Sequence, residues 1–288
     1  MNLSVSELTK TYGKRKVLDN FSFTFDCGIY GILGPNGAGK STLMGLLTDT
    51  IKRETGKIMF QGKDIVELGK RYRRIIGYMA QNQGIYGGMN AVEYLRYIAY
   101  LKEIPSKEAK TQIDSLLETV HLEHEGNKKL REYSGGMLKR VMLAQTLLGA
   151  PQIVILDEPT AGLDPKERIN IRNFISELSK DKIILFATHV VNDIECIADK
   201  VLLLNNGRLI NNDTPSNLIK SVSEKVFEIT CKKDEIKELQ NKFSINNIMY
   251  KNDILKFRTV SDIMPDGFSV ADDINLEDVY LYYFGHEK

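Results

Sequence analysis

The stretch Gly34-Pro35-Asn36-Gly37-Ala38-Gly39-Lys40-Ser41 decides how this chain is read. It fits the spacing GxxxxGK[ST]. Before it lies an apolar run, Ile29 to Leu33; after it, Ser41 to Thr48 places Leu43, Leu46 and Leu47 on one helical face. A strand, a glycine turn and a helix in that order aim successive backbone N–H groups at phosphate oxygens, and the helix N-terminus adds a favourable partial charge. Lys40 is placed to pair with the β- and γ-phosphates of a nucleotide, and Ser41 to ligate Mg²⁺.

Further along, Ile153-Val154-Ile155-Leu156 ends in Asp157 and Glu158. An apolar strand that ends in two carboxylates puts both at the exit of a buried sheet, where α/β folds bind their ligands. Asp157 suits a metal, and Glu158 suits a general base that polarises an attacking water. Tyr133-Ser134-Gly135-Gly136-Met137 precedes a helical pattern. Its serine and glycines fit a second anion-binding helix start, and they fit an ordinary helix cap equally well.

The remaining pattern frames these segments. Phe21, Phe23 and Phe25 alternate with polar residues as in a half-buried antiparallel strand, Lys57 to Phe60 with the turn at Gln61 and Gly62 suggests a hairpin edge, and Ile75 to Met79 is a further strand. Between about 82 and 150 the period turns helical, with stripes at Val92, Leu95, Ile98, Ala99 and Leu101, at Ile113, Leu116, Leu117 and Val120, and at Leu138, Val141, Met142, Gln145 and Leu148. Fully apolar strands return at Ile153 to Leu156 and Ile183 to Ala187, each followed by a helix, which is the mark of a buried parallel sheet. Asn205, Asn206 and Gly207 predict a hairpin turn. Pro215 and the polar stretch Ser221 to Lys225 predict a boundary. Beyond it, strands at Val226 to Thr230 and Ile254 to Phe257, a helix at Asp234 to Phe243, a turn at Asn252–Asp253 and a closing aromatic helix at Leu276 to Phe284 are expected.

In order along the chain, these motifs resemble the ABC ATPase family over about residues 1 to 215. The loop at 34–41 resembles the Walker A, or P-loop; Gln81 the Q-loop glutamine; YSGGM at 133–137 the signature; Asp157 and Glu158 the end of Walker B; Ala161-Gly162-Leu163-Asp164 the D-loop; and Ala187-Thr188-His189 the switch histidine. Tyr12 resembles the aromatic that stacks on adenine. The resemblance implies an α/β fold: a P-loop NTPase core with an antiparallel β-subdomain, an inserted helical signature subdomain and a small α+β C-terminal appendage. The expected division is 1–220 for the ATPase domain and 221–288 for the appendage.

The resemblance also implies roles. ATP with Mg²⁺ would contact Tyr12, Gly34, Pro35, Asn36, Gly37, Ala38, Gly39, Lys40, Ser41 and Thr42 of one chain. Ser134, Gly135, Gly136 and Asp164 would come from a second protomer paired head to tail, identical or not. Ser41, Gln81 and Asp157 would serve the metal; Glu158, His189, Lys40 and Gln81 would serve catalysis. A separate membrane-spanning permease is the implied partner, and Gly84 to Asn90, with Tyr86 and Met89, is the expected contact surface. The chain departs from the commonest family pattern at Met137 (Gln is usual), Tyr133 (Leu is usual) and Ala80 (Pro is frequent). None of these removes a phosphate donor, a metal ligand or the base.

Composition narrows the class. Of 288 residues, 39 are Lys or Arg and 38 are Asp or Glu, so net charge gives no general pull toward nucleic acid. The clusters Lys14–Lys16 and Arg71–Arg74 read as solvated loops. Cys27, Cys196 and Cys231 are odd in number and lack CxxC spacing, which fits reduced thiols in the cytoplasm. His121 and His124 match no motif; their spacing could suit a metal on a helix, and a solvated helix end is the expected reading. MNLSVSELTK lacks the pattern of a secretory signal, and no apolar run approaches the roughly 20 residues of a spanning helix. A membrane role would be peripheral, on the inner face, through the permease. The alternative is an ABC-type mechanochemical or regulatory ATPase acting on nucleic acid or ribosomes; that class usually carries a long coiled-coil insertion or two ATPase units in one chain. Leu276-Glu277-Asp278-Val279-Tyr280-Leu281 resembles the ending of bacterial exporter subunits for drugs, peptides or lipid-like molecules.

Overall fold

A computed structural model of the chain describes residues 1–81, 84–232, 235–243, 246–251 and 254–285. Along the chain run β1 (Leu3–Tyr12), β2 (Arg15–Phe25), β3 (Gly28–Leu33), α1 (Lys40–Leu47), β4 (Thr55–Phe60), β5 (Lys63–Asp64), α2 (Ile65–Leu68), α3 (Lys70–Arg74) and β6 (Ile76–Met79). The helical block is α4 (Ala91–Leu101), α5 (Ser106–Thr119) and α6 (Gly135–Leu147). Then come β7 (Ile153–Asp157), α7 (Pro165–Leu178), β8 (Ile183–Ala187), α8 (Val191–Ile197), β9 (Lys200–Asn205), β10 (Arg208–Asp213) and α9 (Pro215–Ser221). The chain ends with β11 (Val226–Cys231), α10 (Ile236–Lys242), β12 (Asn246–Lys251), β13 (Ile254–Val260), β14 (Ser269–Val270) and α11 (Leu276–Phe284).

The central sheet has the order β10-β9-β3-β8-β7-β6, parallel except for β10. Every residue of β3, β7 and β8 is buried, so apart from Asp157 at the end of β7 their sequences carry no charged residue and do not alternate. The period of two survives in which face each side chain joins. Ile153, Ile155 and Leu185 pack with α1 and the antiparallel sheet β2-β1-β4-β5. Val154, Leu156, Ile184 and Phe186 point the other way, toward α6, α7 and α8. The helical block has its own core around Tyr94, Leu95, Ile113 and Leu130. Asn90 and Glu93 cap α4 reciprocally. Tyr86, in the expected contact segment, is 56% exposed and edges against Tyr97. Among the described residues no helix is long and apolar enough to cross a membrane.

The structure adds two details to the sequence reading. Pro215 opens α9 at the first helical position, behind a Thr214 cap, where its missing N–H costs nothing. β12 had no alternation to betray it, and it is held by antiparallel pairing with β13. Asp234 and the Asn252–Asp253 turn lie outside the described residues. The last sheet, β12-β13-β11-β14, buries Phe227, Phe257 and Phe268 in a small core of its own. Its Val226 and Val260, and Leu276, Val279 and Phe284 of α11, join instead the large cluster under β3, β7 and β8. Arg258 of β13 grips Asp278 of α11 through Nε at 3.0 Å and Nη2 at 2.6 Å, the bidentate geometry that guanidinium and carboxylate favour. The Leu276 N–H donates to Glu195 of α8 at 2.8 Å. The terminal helix is thereby tied to the helix that follows His189.

Candidate nucleotide site

The glycine turn between β3 and α1 is forced by its surroundings. A Cβ on Gly34 would lie 2.1 Å from the Leu204 carbonyl oxygen, so only glycine lets the loop pass the β9–β10 hairpin. Gly39 has φ +105° and caps α1, and a Cβ there would meet the Val17 carbonyl oxygen at 2.6 Å. The Gly207 N–H donates to Ala38 O at 3.0 Å and holds the turn from behind. Lys40 Nζ donates to the carbonyls of Gly34 at 2.5 Å and Pro35 at 3.0 Å. Burial lowers the Lys40 pKa below its usual value, and the charges of Glu158 and Asp157 oppose that.

Both carboxylates leave β7 toward this turn. Burial raises the Asp157 pKa, and the adjacent Glu158 charge adds to the rise; Lys40 and Lys139 pull it back. Glu158 is held in a left-handed backbone conformation, φ +54°, which costs about 1–3 kcal/mol in a non-glycine residue. Its surroundings over-determine it. The Glu158 N–H donates to Ala187 O at 2.8 Å, and Lys139 Nζ donates to Glu158 O at 3.0 Å. Its carboxylate accepts from Thr188 Oγ1 at 3.0 Å and the His189 N–H at 2.9 Å, and His189 Nδ1 lies 2.9 Å away. The carboxylate direction is therefore fixed by the strand β8 that delivers Thr188 and His189.

These groups surround one cleft of about 880 Å³. Its lining includes Tyr12, Gly34, Asn36, Gly37, Gly39, Lys40, Ser41, Thr42, Gln81, Asp157, Glu158 and His189. Tyr12 is 48% exposed, with Lys10 Nζ 5.3 Å from its ring centroid. Ser41 hydroxyl, Gln81 amide and Asp157 carboxylate are hard oxygen donors of the kind that Mg²⁺ takes. Pro35 and Ala38 shape the turn without lining the cleft. Sequence reasoning missed Arg15, whose Nη2 reaches Gly37 O at 3.4 Å, and missed Glu277, Tyr280 and Leu281 of α11, which line the same space. The pattern gave no sign of the second group, because α11 arrives through apolar packing on α8.

Ser134, Gly135, Gly136 and Asp164 do not line that cleft. Ser134 caps α6, its Oγ accepting from the Met137 N–H at 3.2 Å. Asp164 caps α7, accepting from the Glu167 N–H at 2.9 Å. Both are helix starts outside the lining of their own chain's P-loop cleft.

Comparison with known proteins agrees with this geometry. Residues 18–161 match the ABC transporter family. The ABC transporter ATP-binding protein YxlF of Bacillus subtilis is 33% identical over 97% of this chain and 98% of its own length. The Nod factor export ATP-binding protein I of Rhizobium meliloti is 35% identical over 79% of this chain and 69% of its own. A solved dimeric, post-hydrolysis ATP-binding cassette bound to ADP and Pi superposes with a TM-score of 0.66 at 25% identity, covering 74% of this chain and 98% of that one. The chain belongs to the ABC transporter family, as an ATP-binding and ATP-hydrolysing subunit.

Proposed function

We propose that the chain is the motor subunit of a bacterial-type exporter, working as one of two ATPase protomers under a separate membrane-spanning permease at the cytoplasmic face. The observation that carries this reading is the split site. The cleft gathers the P-loop, Gln81, both carboxylates and His189, but not Ser134, Gly135, Gly136 or Asp164. A partner turned head to tail would bring its own α6 start to the open side of the cleft. The export direction is supported by the relative whose name states export, the Nod factor export ATP-binding protein I, and the cargo would be chosen by the permease.

Within the closed pair, the P-loop amides and Lys40 hold the β- and γ-phosphates, and Tyr12 packs on the base. Ser41, Gln81 and Asp157 would hold Mg²⁺, which would supply neutralisation of phosphate charge. Glu158, its direction fixed by Thr188 and His189, orients the attacking water and accepts its proton. His189 borders the γ-phosphate position. Little covalent work falls to the protein; positioning and charge do most of it. ATP then closes the pair and hydrolysis opens it.

Light scattering of Glu158→Gln with ATP tests this reading. Dimers that persist with ATP and are absent without nucleotide support it. A monomer at every ATP concentration that fills the site rejects it. Co-purification of the wild-type chain with a multi-span membrane protein tests the permease partner, whereas recovery with ribosomes or DNA would favour the other class.

A further inference from the structure

Glu167, in the first turn of α7, ties together two segments far apart in sequence. Its backbone N–H donates to Asp164, so it belongs to the turn that presents that residue. Its side chain reaches α6. A Cβ added to Gly136 would come within 3.1 Å of both Cγ and Oε2 of Glu167, so the carboxylate lies flat against the first turn of α6. Oε1 accepts from Arg140 Nη2 at 3.3 Å. Arg140 also donates through Nη1 to the carbonyls of Val120 and His121, at 3.4 Å each.

This pair is half made. Glu167 Oε2 and Arg140 Nε are both buried, and neither has a hydrogen-bond partner among the described residues. Arg258 and Asp278 show the completed form in the same molecule, with Nε and Nη2 each on a separate carboxylate oxygen. Buried polar groups left unpaired are costly, and a guanidinium bound to a carboxylate by two parallel bonds is much the stronger arrangement. A single further bond, Nε to Oε2, would satisfy both orphans at once.

We propose that Glu167 is a positioning residue that sets the angle between α6 and α7, and that its second bond to Arg140, Nε to Oε2, forms when two protomers close on ATP. The proposal rests on the head-to-tail reading above. Ser134 to Gly136 and Asp164 then move as one surface, because the residue that packs on Gly136 also caps onto Asp164. It also gives Gly136 a reason to lack a side chain within its own chain: a Cβ would displace Glu167.

The test uses the full chain with Glu167→Ala and Glu167→Gln. Glu167→Ala is expected to lower kcat by about tenfold while KM for ATP and nucleotide affinity of the separated protomer change less than about twofold. Glu167→Gln keeps the volume but loses the charge, and it is expected to fall between the parent and the alanine variant. Glu167→Ala in an Arg140→Ala background should cost nothing further, since the two side chains act as one unit. A folded Glu167→Ala with parental kcat overturns the proposal, and so does a loss that shows only in KM. If Glu167→Ala does not fold, Glu167→Gln with parental kcat overturns it. The dimer is checked separately in Glu158→Gln: ATP-dependent dimers unaffected by Glu167→Ala reject this inference alone, and absence of dimers rejects the head-to-tail reading with it.

Discussion

The chain contains two glycine-rich turns that each open a helix, and they need their glycines for different reasons. In the turn at 34–41, Gly37 and Gly39 have φ +82° and +105°, and Gly34 and Gly39 would collide with backbone carbonyls if they carried a Cβ. The protomer itself demands glycine there. In the turn at 133–137, neither Gly135 nor Gly136 lies in the left-handed region, and a Cβ on Gly135 would meet nothing within 4 Å. None of the described residues demands glycine at 135. The comparison teaches that the glycines at 34 and 39 are fixed by the chain's own backbone while Gly135 is not, which is what the proposed head-to-tail pairing asks of a turn that completes another chain's cleft.

The largest effect expected is on the complete half. Glu158→Gln should lower kcat by roughly 10²–10⁴-fold, the range for loss of a general base, with ATP binding retained. Steady-state hydrolysis near the parental rate would remove Glu158 from that role. Next, Gly39→Ala should cost about 3 kcal/mol or more in urea denaturation and abolish nucleotide binding, because it combines left-handed strain with a backbone clash. Parental stability in that variant would mean that the loop is not over-determined as described.

A smaller effect concerns how α6 is anchored at its far end. Lys102 Nζ donates to Leu148 O at 2.6 Å, just beyond α6, and burial lowers its pKa from 10.5 to about 8. Between those values the unfolded chain holds a proton that the folded chain does not. Stability should therefore rise with pH across that window, by about 1–3 kcal/mol. The rise should be absent in Lys102→Met, as read by denaturation at several pH values; the same rise in both proteins would assign it elsewhere. Gly135→Ala should do least to the protomer. Its unfolding free energy should stay within about 0.5 kcal/mol of the parent and its nucleotide affinity should be unchanged, while hydrolysis falls. A destabilised Gly135→Ala would erase the contrast between the two turns.

What the sequence discloses follows the same division. The turn at 34–41 is legible because local backbone geometry admits few other residues at Gly34, Gly37 and Gly39. Asp157 and Glu158 are legible because they end a run of wholly buried apolar residues. Arg15 is not: in sequence it sits in a basic run that looks solvated, and only the fold of β1 and β2 over the loop brings it to Gly37. Tyr280 and Leu281 escape for a similar reason, since the contacts that seat α11 beside α8 come from residues spread between Val191 and Phe284. Asn246 and Asn247 open a strand whose hydrogen-bonded partner is β13. The Glu167–Arg140 contact has no sequence signature, because it depends on the angle between two helices.

The central claim, that the cleft is finished by the Ser134 to Gly136 turn of a second protomer, is tested most directly by complementation. Lys40→Ala disables the P-loop of a chain, and Ser134→Arg disables its signature turn. Each pure variant should be inactive. Mixing the two should restore ATP hydrolysis, because a mixed dimer contains one cleft built from an intact P-loop and the partner's intact turn. Mixed dimers that form yet stay inactive, or a Ser134→Arg protein that hydrolyses ATP at the parental rate, would contradict the account.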